Sequence, residues 1–386
     1  MLFLTADYRR RLRFYGRFCL PFTADLFFLS QMCFFQNVLK SARLNLRLIL
    51  LSYSKTVTLT DLMKGFVVSL SATYYKLKGN NVMCASFKLA FLHPRHWSTW
   101  FGLAVLWLLV QLPYPLLYRF GTGLGRVARP FLKRRESIAR RNLELCFPEM
   151  TPALRETLIE RNFMSLGMGL IETGMAWFWP DKRVRRWFDV EGYQNLVEAQ
   201  KKYNGVMVVG VHFMSLELGG RVMGLCQPMM ATYRQHNSPV MEWVQTRGRM
   251  RSNKSMIDRR NLKGLVSALR KGEAVWFAPD QDYGRKGSTF APFFSVNAAT
   301  TNGTYVLSRL SGSAMLTVTM VRKPDGSGYQ LHIGEALTDY PVDNEFEAAS
   351  YMNRVIEREI MRAPEQYLWI HRRFKTRPMG EASLYL

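Results

Sequence analysis

From residue 151 onward the hydrophobic positions fall into two alternating rhythms. A helical period runs through Leu154, Leu158, Phe163 and Leu166, with Thr151 placed to cap it. Gly205–Val211 (GVMVVGV) is a short, continuous apolar run rich in β-branched residues, the pattern of a strand buried on both faces. ATYR at 231–234 and AVWFA at 274–278 predict two more short strands. Pro239–Met250 predicts a helix with proline in its first turn. Asn261 caps a helix bearing Leu262, Leu265, Val266 and Leu269, and Gly272 ends it. Met315–Val321 and Tyr329–Ile333 flank a Pro324-Asp325-Gly326 turn and predict a hairpin, and Glu345–Met361 predicts a helix. Strand and helix in alternation predict a three-layer α/β domain with a mainly parallel sheet.

Upstream the pattern changes. From His96 to Tyr118 there are 23 residues without Lys, Arg, Asp or Glu, bracketed by Arg95 and Arg119. Trp97, Trp100, Tyr114 and Tyr118 lie near the ends, as interfacial aromatics do. A core helix of this length would show a polar face, so the expectation is one membrane helix over 96–118, ended early or kinked by Pro113 and Pro115. Arg126, Arg129, Lys133, Arg134, Arg135, Arg140 and Arg141 follow, against only Glu136 before Glu144. This excess places that side in the cytoplasm and predicts a helix resting on anionic headgroups.

Residues 1–82 carry twelve basic and three acidic residues, and their longest uncharged run, 26–39, is 14 residues. A membrane helix needs roughly 17–25. With Lys76 and Lys78 counted, both flanks of 96–118 are basic; a start at Met83 leaves only Lys88 and Arg95 outside. The expected organisation is therefore an extension at 1–82 outside the working protein, a short periplasmic segment at 83–95, the span at 96–118 and a cytoplasmic domain at 119–386.

Composition narrows the function classes. Hydrophobic residues make up 48% of the 386, enough for a packed core and too many for a disordered chain. A mean hydropathy of -0.11 excludes a polytopic membrane protein. Five Cys without a CxxC pair argue against a disulfide framework or a cysteine zinc site. The formal charge of +24 requires anionic partners: a membrane face, phosphorylated ligands, an acidic protein or nucleic acid.

In an open α/β sheet ligands bind beyond the carboxyl ends of the strands. GVMVVGV is followed by His212-Phe213-Met214-Ser215-Leu216-Glu217. Five residues apart on one helix, two side chains diverge by about 140°. A His in the turn leaving the strand and a Glu in the first helical turn can instead meet, the carboxylate fixing the imidazole tautomer and leaving the other nitrogen as a base. AVWFA is followed by a second polar loop, Pro279-Asp280-Gln281-Asp282-Tyr283-Gly284-Arg285-Lys286-Gly287-Ser288. Two such loops at matching strand ends suggest one cleft. A third cluster, Arg247–Lys254, is cationic enough to hold phosphate or carboxylate, with Arg249, Arg251 and Lys254 as candidates. Backbone N–H groups near Met214, Ser215 and Leu216 are candidate oxyanion donors. No Walker loop, Gly-x-Ser-x-Gly elbow or metal-ligand spacing occurs. Gly121, Gly123 and Gly125 follow no strand and suit helix packing.

Taken in order, FLHPRHWSTWFG, KRRESIARRNLELCFPEM, ETGMAWFWPD, VGVHFMSLELGGR, RGRMRSNKS, WFAPDQDYGRKG and APEQYLWIHRRFKTRP closely resemble the late acyltransferases of lipid A biosynthesis, within the wider His-x4-Asp/Glu glycerolipid acyltransferase group. Among subtypes the palmitoleoyl-transferring paralogue is most similar and the lauroyl-transferring one next. The resemblance implies a single-pass bacterial inner-membrane enzyme with its catalytic domain on the cytoplasmic face. It implies acyl transfer from acyl carrier protein to a hydroxyl of Kdo2-lipid IVA, without metal or other cofactor. It places the catalytic pair on His212 and Glu217, an acceptor-phosphate contact on Arg249, and a later motif block on Asp280, Asp282 and Tyr283. The alternatives are the same chemistry on another glycolipid or phospholipid, a hydrolase using Ser215, or a basic nucleic-acid-binding membrane protein. The last explains the charge but not the two polar loops, so no nucleic acid is expected.

Overall fold

The structure, a computed structural model, describes residues 87–385; the expectations for residues 1–82 lie outside the described residues. Two helices come first, α1 (Trp97–Leu109) and α2 (Tyr114–Ala128), then α3 (Lys133–Cys146), the long α4 (Pro152–Phe178) and the short α5 (Asp181–Val184). The alternating part follows: β1 (Phe188–Glu191), α6 (Tyr193–Lys202), β2 (Val206–Gly210), α7 (Leu216–Cys226), β3 (Met230–Tyr233), α8 (Pro239–Met250), β4 (Ser255–Asp258), α9 (Leu262–Arg270) and β5 (Ala274–Phe277). An antiparallel hairpin, β6 (Ser288–Phe293) with β7 (Val296–Thr301), interrupts before α10 (Gly303–Ser311), β8 (Ala314–Arg322), β9 (Tyr329–Ala336) and α11 (Glu345–Ile360).

The main sheet has the order β1-β9-β8-β2-β5-β3-β4. From β8 to β4 every pairing is parallel, while β9 runs antiparallel to β8 and β1 runs with β9. The α/β class and mainly parallel sheet are as the sequence predicts. The strands show why two helical layers are needed. In β2, Val206 and Val208 enter one hydrophobic core and Met207 and Val209 the other. In β5, Ala274 and Val275 divide in the same way. A strand buried on both faces has no polar side to show, hence its unbroken apolar sequence.

Local signals hold the elements where the sequence puts them. Thr151 Oγ1 accepts from Leu154 N–H, Ser238 Oγ from Met241 N–H and Asn261 Oδ1 from Gly264 N–H, capping α4, α8 and α9. Gly326 takes a left-handed φ of 71° at the β8–β9 turn.

The apolar run 96–118 is not one helix, contrary to expectation. α1 has 13 residues, about 20 Å at 1.5 Å each. Pro113, with no N–H and a fixed φ, stands at the cap of α2, and the chain turns there. The turn is held from outside: Trp179 Nε1 donates to Val110 O at 2.6 Å and Arg183 Nη2 to Leu112 O at 2.5 Å. Among the described residues no helix is long and apolar enough to cross a membrane.

In the basic stretch that follows, several cations are paired within the protein, while Lys133 and Arg134 stay exposed. Arg129 and Arg140 both pair with Glu136 and Glu156, and Arg126 pairs with Glu160 at 3.2 Å. Counting charge along the sequence missed these partners because α4 brings two of them back beside α2 and α3. α2 packs tightly on α4: a Cβ at Gly125 would lie 2.0 Å from Phe163 O, and one at Gly167 2.1 Å from Gly121 O. Gly123 faces open space.

Candidate active site

The parallel strands deliver their carboxyl ends to one edge of the sheet. The turns leaving β2, β3, β4 and β5 there surround a cavity of about 740 Å³, lined by His212, Glu217, Arg249, Arg259, Trp276 and Tyr283 among others.

His212 stands two residues past β2. Its Nδ1 lies 2.5 Å from Asp280 Oδ1, and its backbone N–H donates to Asp280 Oδ2 at 3.0 Å. Both oxygens of this fully buried carboxylate thus grip one residue. With Nδ1 held, Nε2 is the ring nitrogen left for chemistry, and the side chain is 11% exposed at the cavity wall. Burial pushes the Asp280 carboxyl up, but the facing imidazole and its hydrogen bonds prevail and hold it below the usual aspartate value.

Asp280 therefore occupies the position expected for Glu217. Glu217 is in the first turn of α7, but its carboxylate accepts from Arg249 Nε at 3.1 and 3.2 Å, from Arg249 Nη2, and from Trp177 Nε1 at 3.2 Å. Burial raises its pKa, and the Arg249 charge with hydrogen bonds from Arg249, Trp177 and Gln245 outweighs this, holding the carboxyl below its ordinary value. The reason lies in the sheet. β5 is the hydrogen-bonded neighbour of β2, so the residue three past its end lies beside the residue two past the end of β2. The partners are 68 residues apart, beyond any local spacing rule.

The turn carrying His212 is fixed from below by the C-terminal segment. Leu368 N–H donates to His212 O at 3.0 Å and Met214 N–H to Gln366 O at 2.8 Å. Asn162 Nδ2 on α4 holds that segment through Glu365 O and Tyr367 O.

The other expected site residues divide. Arg249 lines the cavity, with its guanidinium bound to Glu217. Arg251 turns away and donates from Nη1 to Trp177 O at 2.7 Å, and Lys254 pairs with Glu273 at 2.6 Å on the outer surface. Asp282 is fully buried and accepts from Gly284 N–H, Thr376 N–H and Thr376 Oγ1, which makes it a loop anchor out of reach of substrate. Tyr283 does line the cavity, its hydroxyl donating to Ala278 O at 2.8 Å. Of the three oxyanion candidates, Met214 N–H is bound to Gln366 O and Leu216 N–H to Phe213 O at 3.0 Å, so Ser215 N–H is the one to keep. The Ser215 hydroxyl points into the core and donates to Met320 O at 2.9 Å, which removes it as a nucleophile.

Sequence reasoning missed most of the cavity's charge. Arg234, His236, Arg259 and Arg260 line it, from the turns after β3 and β4, beside Lys286 of the polar loop after β5 that the sequence did point to. The signal was available, since each lies within nine residues of a strand's carboxyl end. An imidazole braced by a carboxylate, in a cationic hollow with Leu216, Trp276 and Phe277 on its walls, is equipped to deprotonate a hydroxyl on an anionic, partly apolar molecule.

The chain is similar to known proteins over this whole region. A family described as bacterial lipid A biosynthesis acyltransferase matches residues 84–376. The lipid A biosynthesis palmitoleoyltransferase of Escherichia coli (strain K12) is 75% identical over 301 residues, covering 78% of this chain and 98% of the relative. The lauroyltransferase of the same strain is 53% identical over 300 residues, with 78% and 98% covered. Its myristoyltransferase is 27% identical over 319 residues, with 80% and 96% covered.

Proposed function

The chain belongs to the bacterial lipid A biosynthesis acyltransferase family and is an acyltransferase; from this we propose that it moves a palmitoleoyl group, or next a lauroyl group, from acyl–acyl carrier protein to a hydroxyl of Kdo2-lipid IVA. His212 Nε2 takes the proton from that hydroxyl as its oxygen attacks the thioester carbonyl. The tetrahedral intermediate then collapses, expelling the thiolate, which takes the proton back from the imidazolium. The donor is already activated, so no covalent enzyme intermediate is needed. General-base help of this kind is worth roughly 10²–10⁴-fold. Ser215 N–H is the proposed donor to the oxyanion.

Asp280 orients the base and stabilises the imidazolium, and Glu217 acts one step away by fixing Arg249. The observation that carries this reading is the His212–Asp280 pair at the wall of a cationic cavity. We further propose that α1 and α2 lie against the cytoplasmic face of the inner membrane. Trp97, Phe101 and Leu108 on α1, and Leu116, Phe120 and Val127 on α2, form exposed apolar stripes at i, i+4 and i+11.

The test is mass spectrometry of lipid A from cells lacking this protein, complemented with wild type or His212→Ala. Wild type is expected to add one acyl chain whose mass names it, and His212→Ala none, at equal protein level. An unchanged lipid A in wild-type cells, or a fully active His212→Ala, refutes the reading.

A further inference from the structure

We propose that Arg259, Arg260 and Lys286 form a phosphate-binding site at the mouth of the cavity, which tethers a phosphate ester while the reacting group reaches His212. The proposal rests on the acyl-transfer reading and moves phosphate recognition away from Arg249.

Three observations support it. First, the cations that the sequence put forward are committed: Arg249 to Glu217, Arg251 to Trp177 O and Lys254 to Glu273. Recruiting Arg249 to a phosphate means loosening a buried carboxylate. Second, Arg259, Arg260 and Lys286 all line the cavity that contains His212. Among the described residues none of their side chains makes an ion pair with a carboxylate. The adjacent acid Asp258 uses Oδ1 to accept the Arg260 backbone N–H at 2.7 Å. Third, Arg259 is held against the loop that carries Lys286. The Arg259 guanidinium stacks 5.1 Å from the Tyr283 ring centroid, and that ring is anchored through its hydroxyl to Ala278 O. Burial, then the Arg234 and Arg260 charges, push the Arg259 pKa down, whereas Tyr283 and Asp258 act the other way. Cations clustered without a counter-charge gain most from an anion that bridges them.

The backbone supports the arrangement. Arg259 and Arg260 occupy the turn between β4 and the Asn261 cap of α9. Lys286 sits in the loop after β5, between Gly284 (φ 94°) and Gly287 (φ 70°), two left-handed positions that let the loop fold back over the cavity.

Two phosphate esters reach this site under the proposed reaction: the sugar phosphate of the acceptor, and the phosphodiester of the carrier's prosthetic arm. The experiment separates them. Calorimetric titration of Kdo2-lipid IVA and of its ring-dephosphorylated analogue into the full chain is compared for wild type, Arg260→Gln, Lys286→Gln and the triple Arg259→Gln/Arg260→Gln/Lys286→Gln. Steady-state kinetics are run with each substrate varied. Arg260 and Lys286 are exposed, so the singles are expected to melt like wild type.

The expected result is acceptor binding weakened at least tenfold in the triple variant, with a flatter salt dependence and no further loss on the dephosphorylated analogue. A rise confined to the donor KM also supports the site and assigns it to the carrier's arm. Unchanged binding and unchanged KM for both substrates overturn it. Absence of turnover in wild type overturns the acyl-transfer reading instead, and the titrations still decide the phosphate site.

Discussion

At the scale of the residue, the division of labour between two acids is the main testable result. Asp280→Asn keeps the shape and can still accept the His212 backbone N–H. Its amide, however, must donate to Nδ1, which forces the ring proton onto Nε2 and removes the base. Acyl transfer is expected to fall roughly 10²–10⁴-fold with little change in Tm, measured by single-turnover assay beside a thermal melt. Glu217→Gln acts differently, because it leaves the half-buried Arg249 without its counter-charge. Breaking a buried pair on one side costs about 3–5 kcal/mol, whereas replacing both members is often near neutral. Tm should therefore drop in Glu217→Gln and recover in Glu217→Gln/Arg249→Met; a double variant no more stable than the single contradicts the pairing.

His371 offers a pH signature. Burial, with the charges of His212 and Arg373, lowers its pKa from 6.5 to about 3, and its Nε2 accepts from Asp282 N–H at 3.3 Å. The unfolded chain binds this proton more readily than the folded one, so stability is full above about pH 6.5 and declines as pH falls toward 3. Asp280 and Glu217, depressed in the folded state, contribute stability that is present above their unfolded values near 4 and lost only below them. Of these three groups, only the histidine acts in the upper window. His371→Gln is expected to flatten the Tm profile between pH 6.5 and 5; the same slope in wild type and variant excludes this account.

At the scale of the element, caps and apolar runs were legible because their causes are local. Thr151, Asn261 and the GVMVVGV strand all fall where their chemistry predicts. β1 and β4, four residues each with mixed polarity, carry no such signal and become strands only through their neighbours. The break in 96–118 was half legible. Proline marks the place, but the angle is set by Trp179 and Arg183, some seventy residues on. His212 was likewise legible from the strand it leaves, and its partner was not, because strand order is a property of the sheet. The glycines of α2 give a clean test. Gly125→Ala drives a methyl into the backbone of α4, where nothing yields without separating the helices, and Tm should fall by several degrees. Gly123→Ala meets nothing within 4 Å and gains up to about 1 kcal/mol of helix propensity. Similar melts for the two variants would contradict the close packing of α2 on α4.

At the scale of the whole molecule, charge and apolar surface lie in different places. Some of the basic residues are paired with acids in the ion-pair network joining α2, α3 and α4, while others gather at the cavity. The apolar stripes of α1 and α2 carry little charge, with Trp97 64% and Phe101 57% exposed. Adsorption driven by such a face differs from adsorption driven by a polybasic patch. The polybasic mode weakens steeply with salt, since the Debye length shrinks from about 10 Å at 0.1 M to about 3 Å at 1 M. The apolar mode is nearly indifferent to salt and follows buried area. Full-length protein is therefore expected to pellet with vesicles of mixed anionic and zwitterionic lipid and to stay bound at 1 M salt. Phe101→Glu/Phe120→Glu should release it while leaving the melt unchanged, because both side chains are exposed at the surface. Release of wild type by salt alone would assign adsorption to the cations, and retention of the double variant would show that some other surface holds the membrane.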